Sequence, residues 1–352
     1  MAWRLQRFPV APPAVALAAR AGAIVAALLV SSIFLAIAGL NPLVLGAQVI
    51  NSTFGSDFGL QDLGLLVTPL IFCGLAVAVT QRIGIWNIGA EGQFNMGALF
   101  ATAAGIFITG PTPVMLVVIF CAGALGGLLW ILIPTLARAY ADVNELITTL
   151  LLNFVAALFV YYVSTGPWRD KASHMLASTF KVPYYVPDLW GTLHWGLIVA
   201  IAMAIIMAGI LAYTRWGYEV RISGANPHAA RYAGIPVRRR IIAVMLLSGA
   251  IAGVAGMFEV AGTIHRLQGG ISNNFGYVGI MVAVLARGSS IGVIFAGALM
   301  AVILNAGIVL QTKGLNTNTV LALTGLILFF TAIGDEFAHY RLVRSRPATS
   351  TS

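Results

Sequence analysis

Hydrophobic stretches long enough to cross a bilayer follow one another along most of this 352-residue chain. A hydrocarbon core about 30 Å thick takes about 20 apolar residues in helical conformation. In that medium each backbone amide and carbonyl must find its partner within the protein, so the stretches are expected to be helices. The composition points the same way, with 59% hydrophobic and 9% charged residues. A soluble domain carries about 25% charged residues, so a soluble chain of this balance would expose too much apolar surface. The expected class is an all-α polytopic membrane protein, with the lipid bilayer as its first partner.

About ten membrane segments are expected, at 21–40, 60–80, 84–109, 113–137, 146–165, 192–213, 241–264, 276–286, 291–310 and 318–334. The eighth is too short to cross as a straight helix and reads as a half-helix or re-entrant piece shielded by protein. Counting it as a crossing puts both termini on the cytoplasmic side. The basic residues then sort by the positive-inside rule. Arg4, Arg7, Arg20, Arg82, Arg138, Arg287, Arg341, Arg344 and Arg346 fall inside, together with Arg215, Arg221, Arg231, Arg238, Arg239 and Arg240. Arg169, Lys171, Lys181, Arg266 and Lys313 fall outside. The expected organisation is a cytoplasmic segment 1–20, a membrane domain 21–334 that includes a cytoplasmic loop 214–240, and a cytoplasmic tail 335–352.

The first segment is too long for a signal-peptide core and no small-residue cleavage site stands out, so it is read as retained. The net charge of +9 is accounted for by topology signals beside spans, and no nucleic-acid partner is expected. Cys73 and Cys121 both fall inside apolar stretches and imply no disulfide framework. Glycine, at 38 residues, exceeds its usual share of about 7%. Small-xxx-small pairs at Gly123 and Gly127, Gly249 and Gly253, and Gly288 and Gly292 suggest close helix approach. The outer loop 166–191 is rich in Trp, Tyr and Pro, suited to anchoring at the interface or to receiving an extracytoplasmic partner.

The loop between the sixth and seventh segments carries ordered signals. Asn226 can cap a helix, Pro227 suits its first turn, and Gly234 can close it in a left-handed conformation. The result is a helix of about two turns, faced by Ala229, Ala230 and Ala233. A docking helix on the cytoplasmic face points to a transporter driven by a soluble motor subunit.

Several polar residues lie where apolar ones are expected. Asn87, Glu91 and Asn95 recur every four residues and share a helix face. Glu91 would lie roughly 10 Å deep, where an ionisable group is costly and a functional role is the default reading. It can equally act as a clamp for backbone amides beside Gly89 and Gly92. Glu145, Thr149 and Asn153 form a second stripe, with Asn153 near mid-span, either lining a polar path or joining two helices. Asn273, Asn274, Phe275 and Tyr277 lead into the short eighth segment, whose positive end would point inward. Gln93, between Glu91 and Asn95, completes the candidate path set of Asn87, Glu91, Gln93, Asn95, Asn153, Phe275 and Tyr277. The third segment and the eighth-to-ninth region are both glycine-interrupted and polar at the start, which suggests an internal repeat.

His174, His194, His228, His265 and His339 are scattered without metal-ligand spacing. No H-E-x-x-H or P-loop sequence is present. The reading is therefore of no catalytic residues, no metal site and no cofactor in this chain; if ATP drives it, another subunit hydrolyses the nucleotide.

NIGAEGQ at 87–93, preceded by RIGIW at 82–86, resembles the membrane subunits of bacterial ABC importers of the branched-chain amino acid and ribose permease superfamily, and within it the nucleoside and simple-sugar subgroup. Further matches are VNEL at 143–146 through Thr149 to Asn153 and Phe154, SGAN at 223–226 with Ala229, Ala230, Gly234, Ile235 and the following Ser248 and Gly249, and FGY at 275–277 with Gly279, Ile280 and Ala283. His228 and Arg231 make the loop more basic than the family pattern, and the turn RGSS at 287–290 departs from it.

The resemblance implies a permease in a bacterial inner membrane that pairs with a second permease subunit, identical or paralogous. It also implies two ATP-binding subunits or a fused tandem ATPase, which would hold ATP and Mg, and an extracytoplasmic solute-binding protein. The coupling residues would be Gly224, Asn226, Ala229, Ala230, Gly234 and Ile235, and the expected solute a nucleoside or related sugar-like molecule. The alternative is an ion-coupled secondary transporter using Glu91. It leaves the loop helix at 226–234 without a purpose.

Overall fold

The computed structural model describes residues 2–7, 13–172, 177–312, 314–337 and 340–345. Lys313, His174, His339 and the tail 346–352 lie outside them. In chain order the elements are β1 (Ala2–Arg7), α1 (Pro13–Ile37), α2 (Pro42–Phe54), α3 (Asp57–Gln81), α4 (Ala90–Phe107), α5 (Thr112–Ala141), α6 (Glu145–Thr165), β2 (Asp188–Trp190) and β3 (Leu193–His194). They continue with α7 (Gly196–Tyr213), α8 (Arg215–Ala225), α9 (Pro227–Tyr232) and α10 (Val237–Phe258), which runs on into a π-helical turn, Glu259–Ile264. Last come α11 (Phe275–Leu285), α12 (Ser290–Thr312), α13 (Thr317–Phe337) and β4 (Tyr340–Ser345). Helix dominates, as the hydropathy requires. The only strands among the described residues are two short antiparallel pairs, β1 with β4 and β2 with β3.

The chain divides into two compact units. The smaller joins residues 1–55 to 306–352. In it Leu35, Leu45, Leu315, Val320 and Leu323 form a buried cluster, and β1 pairs with β4 from Ala2 opposite Ser345 to Arg7 opposite Tyr340. The first expected span is not a lone straight helix. Gly39 takes a left-handed φ of +78°, Asn41 accepts hydrogen bonds from the amides of Leu43 and Val44, and Pro42 opens α2. These are ordinary stop and start signals. They bend the chain by 120° between Ala21–Ile37 and Pro42–Phe54.

The larger unit, 56–305, is organised around α3, α4, α5 and α10. Among the described residues six helices, α3, α5, α6, α7, α10 with its π-helical turn, and α12, are long and apolar enough to cross a membrane, or up to seven spans with the bent pair counted as one. The α4–α5–α10 contact is made through glycine. A Cβ on Gly253 would run into the backbone of Gly123 and Gly127, one on Gly127 into Gly249, and one on Gly97 into Gly253. Two of the expected glycine pairs thus face one another across α5 and α10. The third does not act as a helix pair: Gly288 lies in a turn with φ +65°, outside α12.

Candidate functional site: a broken helix held by a buried polar mesh

The expected third span, 84–109, is broken. Helix α3 ends at Gln81 and α4 starts at Ala90, leaving an elbow at 82–89. An elbow at this depth must satisfy its freed backbone groups within the protein, and the polar residues picked out from the sequence do so. Asn87 Nδ2 donates to Gln93 Oε1 (2.9 Å) and to Ser248 Oγ of α10 (2.8 Å). Asn87 Oδ1 accepts from Gln93 Nε2 and from the Gly89 amide, both at 2.9 Å. Ser248 in turn donates to the Ala76 carbonyl of α3 at 2.6 Å. Asn153 of α6 accepts from the Gly92 amide (2.8 Å) and donates to the Ile88 carbonyl (2.9 Å), fastening both sides of the break.

Glu91 joins α4 to α11. Ser272 Oγ donates to one carboxylate oxygen, and the Gly276 amide donates to the other at 2.9 Å. Asn95 Nδ2 donates to the Glu91 carbonyl at 3.0 Å. The approach is close because Gly276 has no side chain: a Cβ there would overlap the backbone of Ala90 and Glu91. The first turns of two helices therefore meet, with their positive ends close together. A carboxylate between them offsets that repulsion and satisfies amides that have no partner within their own helix. The carboxylate partners of Glu91 are thus Ser272, in the turn before α11, and Gly276 in its first turn, not the amides beside Gly89 and Gly92.

Of the seven candidate path residues, Asn87, Glu91, Gln93, Asn95, Asn153 and Phe275 are buried and Tyr277 is half-buried. Phe275 packs on Phe94 with ring centroids 6.2 Å apart. Helix α11 has 11 residues, too few to cross a bilayer, and is entered through Asn273 and Asn274 at φ +44° and +65°.

The second candidate region is the loop 214–240, which holds two helices. Thr214 caps α8 through the Gly217 amide (3.1 Å), and Glu219 pairs with both Arg215 and Arg240. Asn226 accepts from the Ala229 amide at 3.0 Å, Pro227 opens α9, and Gly234 follows at φ +76°. Helix α9 has six residues. Ala230 is fully buried within the chain, whereas Ala229, Ala233 and Gly234 are exposed and Tyr232 is 95% exposed. Gly224 of α8 lies on the elbow: a Cβ there would overlap the backbone of Arg82 and Ile83. Arg82 Nε donates to the Gly288 carbonyl at 2.7 Å. Burial, and then the neighbouring Arg221 guanidinium, lower the Arg82 pKa from the ordinary arginine value.

At the opposite end of α10 the loop 166–191 is tied to the π-helical turn and the residues after it. The amides of Thr179, Val182 and Val186 donate to the carbonyls of Leu267, His265 and Ala261, each at 2.9 Å. Gln61 of α3 accepts from the amide and hydroxyl of Thr192.

The chain matches the family described as branched-chain amino acid transport system / permease component over residues 59–332. It belongs to that family. This permease subunit is a transport component and not an enzyme. It is 32% identical to the glucose ABC transporter permease of Haloferax volcanii over 91% of this chain and 88% of that protein. It is 35% identical to the guanosine ABC transporter permease of Bacillus subtilis over 71% of this chain and 74% of that one. It is also 29% identical to a nucleoside ABC transporter permease of Lactococcus lactis over 88% and 89%. Members of such systems work with an ATPase and a solute-binding protein.

Sequence reasoning noted Ser248 only as part of a family match and gave it no site role, and it passed over Ser272, which completes the mesh with it, and Glu259, buried on the π-helical turn. A carboxylate inside an apolar stretch was the available signal for the last. For the serines no local signal exists, since each matters through a partner about 160–180 positions away.

Proposed function

We propose that this permease carries a nucleoside or a related sugar-like solute into the cell, coupled through α8 and α9 to a separate ATPase that holds ATP and Mg. The substrate class is supported by the relatives that carry guanosine, nucleosides and glucose. Coupling is supported above all by Gly224, whose contact with the backbone of residues 82–83 joins the arginine-rich loop to the elbow. A shift of α8 and α9 would be passed to the elbow, through the mesh to α4, and through Glu91 to α11. In this reading Asn87, Glu91, Gln93, Asn95 and Asn153 shape the solute path by holding its broken helices, and Phe275, packed on Phe94, with the half-buried Tyr277 marks the start of the short helix where a base or sugar would pass. Capture affinity belongs to the binding protein, for which the exposed Tyr185 and Trp190 of the outer loop suit a docking role. The working unit has two permease subunits and two ATP-binding sites.

The membrane is the bacterial inner membrane, with both termini cytoplasmic. Support comes from the arginine bias and from the pairing of β1 with β4, which brings the two ends of the chain together. The ten-segment path, with α4 and α11 as related half-helices of an internal repeat, is part of this reading. Cysteine placed at Tyr232 in a variant lacking Cys73 and Cys121 is expected to resist impermeant thiol reagents in whole cells and to react after permeabilisation. Labelling in intact cells would reverse the orientation.

Docking has its own test. Tryptophan at Ala233 or Ala229, both exposed, is expected to abolish ATP-driven uptake and recovery of the ATPase subunit while the thermal midpoint stays within a few degrees of the native chain. Overpacking at a contact costs about 1–3 kcal/mol, which weakens docking affinity about fivefold to about a hundredfold or more. Tryptophan at the buried Ala230 is expected to unfold the loop itself. Full uptake by both exposed variants would remove α9 from the coupling role.

A further inference from the structure

A cavity of about 330 Å³ opens between the turn at 82–85, the last turn of α5, the corner between α8 and α9, and the first turn of α10. Arg138, Arg231 and Arg238 stand on its walls, with Asp142. Arg138 is taken up by ion pairs with Asp142 and Glu145. Arg231 and Arg238 have no acidic partner among the described residues, and the Arg238 guanidinium is held 5.0 Å from the centroid of the Tyr140 ring. Arg231 and Arg238 thus bring two guanidinium groups without an acidic partner among the described residues, and with Arg138 against Asp142 and Glu145 the region stays net positive.

Ser223 supplies an independent observation. Its side chain lines the same cavity, is 1% exposed, and its hydroxyl has no hydrogen-bond partner among the described residues. A buried hydroxyl without a partner is uncommon and calls for a physical account, of which a bound polar species is one. The first turn of α10 adds to this, because no side chain caps it and its free amides favour negative charge. Hydroxyl, guanidinium groups and a helix start together match the oxygens of a phosphate. The surroundings indicate its origin. The cavity lies where the apolar helices α5 and α10 end, and Ile83, Ile85 and Ile241 give it apolar walls. Basic pockets between membrane helices at that level suit lipid head groups.

We propose that this cavity binds a phosphate group, presented by an anionic phospholipid whose acyl chains lie along α5 and α10. The bound phosphate would brace the α8–α9 corner against the elbow, making the lipid a structural partner of the coupling region.

Thermal unfolding of the full-length protein in detergent, titrated separately with phosphatidylglycerol, phosphatidylcholine and inorganic phosphate, tests this. Phosphatidylglycerol is expected to raise the midpoint saturably, and phosphatidylcholine not. In the double variant Arg231→Gln, Arg238→Gln the half-saturating concentration should rise at least about tenfold, the loss expected from removing charge-assisted hydrogen bonds. Ser223→Ala should weaken binding to a smaller degree. Arg239→Gln, which removes one charge outside the cavity and is the matched control for the single Arg231→Gln variant, should titrate like the native chain. An equal, variant-sensitive rise with inorganic phosphate would support the site and assign it to a soluble phosphate. Should the double variant not fold, the single Arg231→Gln and Ser223→Ala variants carry the test. Absence of a saturable rise with either ligand, or the same half-saturation in the cavity variants that fold as in the native chain, would overturn the proposal.

Discussion

Alanine in place of Glu91 is expected to cut the yield of folded protein in the membrane and to lower its thermal midpoint sharply. The carboxylate accepts from the Ser272 hydroxyl and the Gly276 amide, both buried. Truncation removes the acceptor of each of these donors, at about 1–3 kcal/mol apiece, and leaves two helix starts facing one another with no negative charge between them. Glutamine keeps the shape and one acceptor oxygen for the Gly276 amide, and its amide group can donate to the Ser272 hydroxyl. The Glu91→Gln variant should therefore fold and assemble with a loss of about 1 kcal/mol. Size-exclusion midpoints of detergent-solubilised protein separate the two. An Ala variant as stable as the native chain would dispose of the clamp. A Gln variant that folds normally but has lost uptake would give the charge a direct part in transport.

Gly253→Ala should be at least as damaging. Its Cβ would lie 2.9 Å from the Gly127 nitrogen and 3.0 Å from the Gly127 Cα, and closer still to the Gly123 carbonyl. These are backbone atoms of another helix, so relief requires α5 and α10 to separate, and α4 follows because Gly97 rests on Gly253. The cost is put at about 3 kcal/mol or more, the upper end for overpacking. Gly209→Ala in α7 is the matched control. Nothing lies within 4 Å of its added Cβ, and the better helix propensity of alanine should leave stability unchanged or raise it by up to about 1 kcal/mol. Equal midpoints for the two variants would contradict the glycine-mediated contact.

These two sites mark how far the sequence could be read. Apolar length and arginine placement were enough for a polytopic helical protein, because bilayer thickness and backbone hydrogen bonding leave few other solutions. The capped helix at 226–234 was legible because Asn226, Pro227 and Gly234 act locally. The shortness of α11 followed from counting apolar residues. The third segment was read as glycine-interrupted but started at Gly84; that the chain stays non-helical over 82–89 was not placed, because the residues that stabilise the break come from α6 and α10. The eleven-residue α8 was missed for a related reason: its polar Arg215, Glu219 and Arg221 gave it the look of a loop. Spacing placed Ala229, Ala230 and Ala233 on one helix, but only packing shows that Ala230 faces inward and the other two outward. For Glu91, the four-residue spacing identified an unusual group and could not supply its partners, which lie 181 and 185 positions away.

The central claim is that this permease is driven by ATP on a partner and not by an ion gradient through Glu91. Proteoliposomes holding the permease with its ATPase, supplied with the binding protein and labelled guanosine or glucose, test it most directly. The account predicts uptake that requires ATP and Mg on the side of the α9 helix and survives ionophores that collapse proton and sodium gradients. Uptake by the permease alone, driven by an imposed ion gradient and abolished in a folded Glu91→Gln variant, would contradict it.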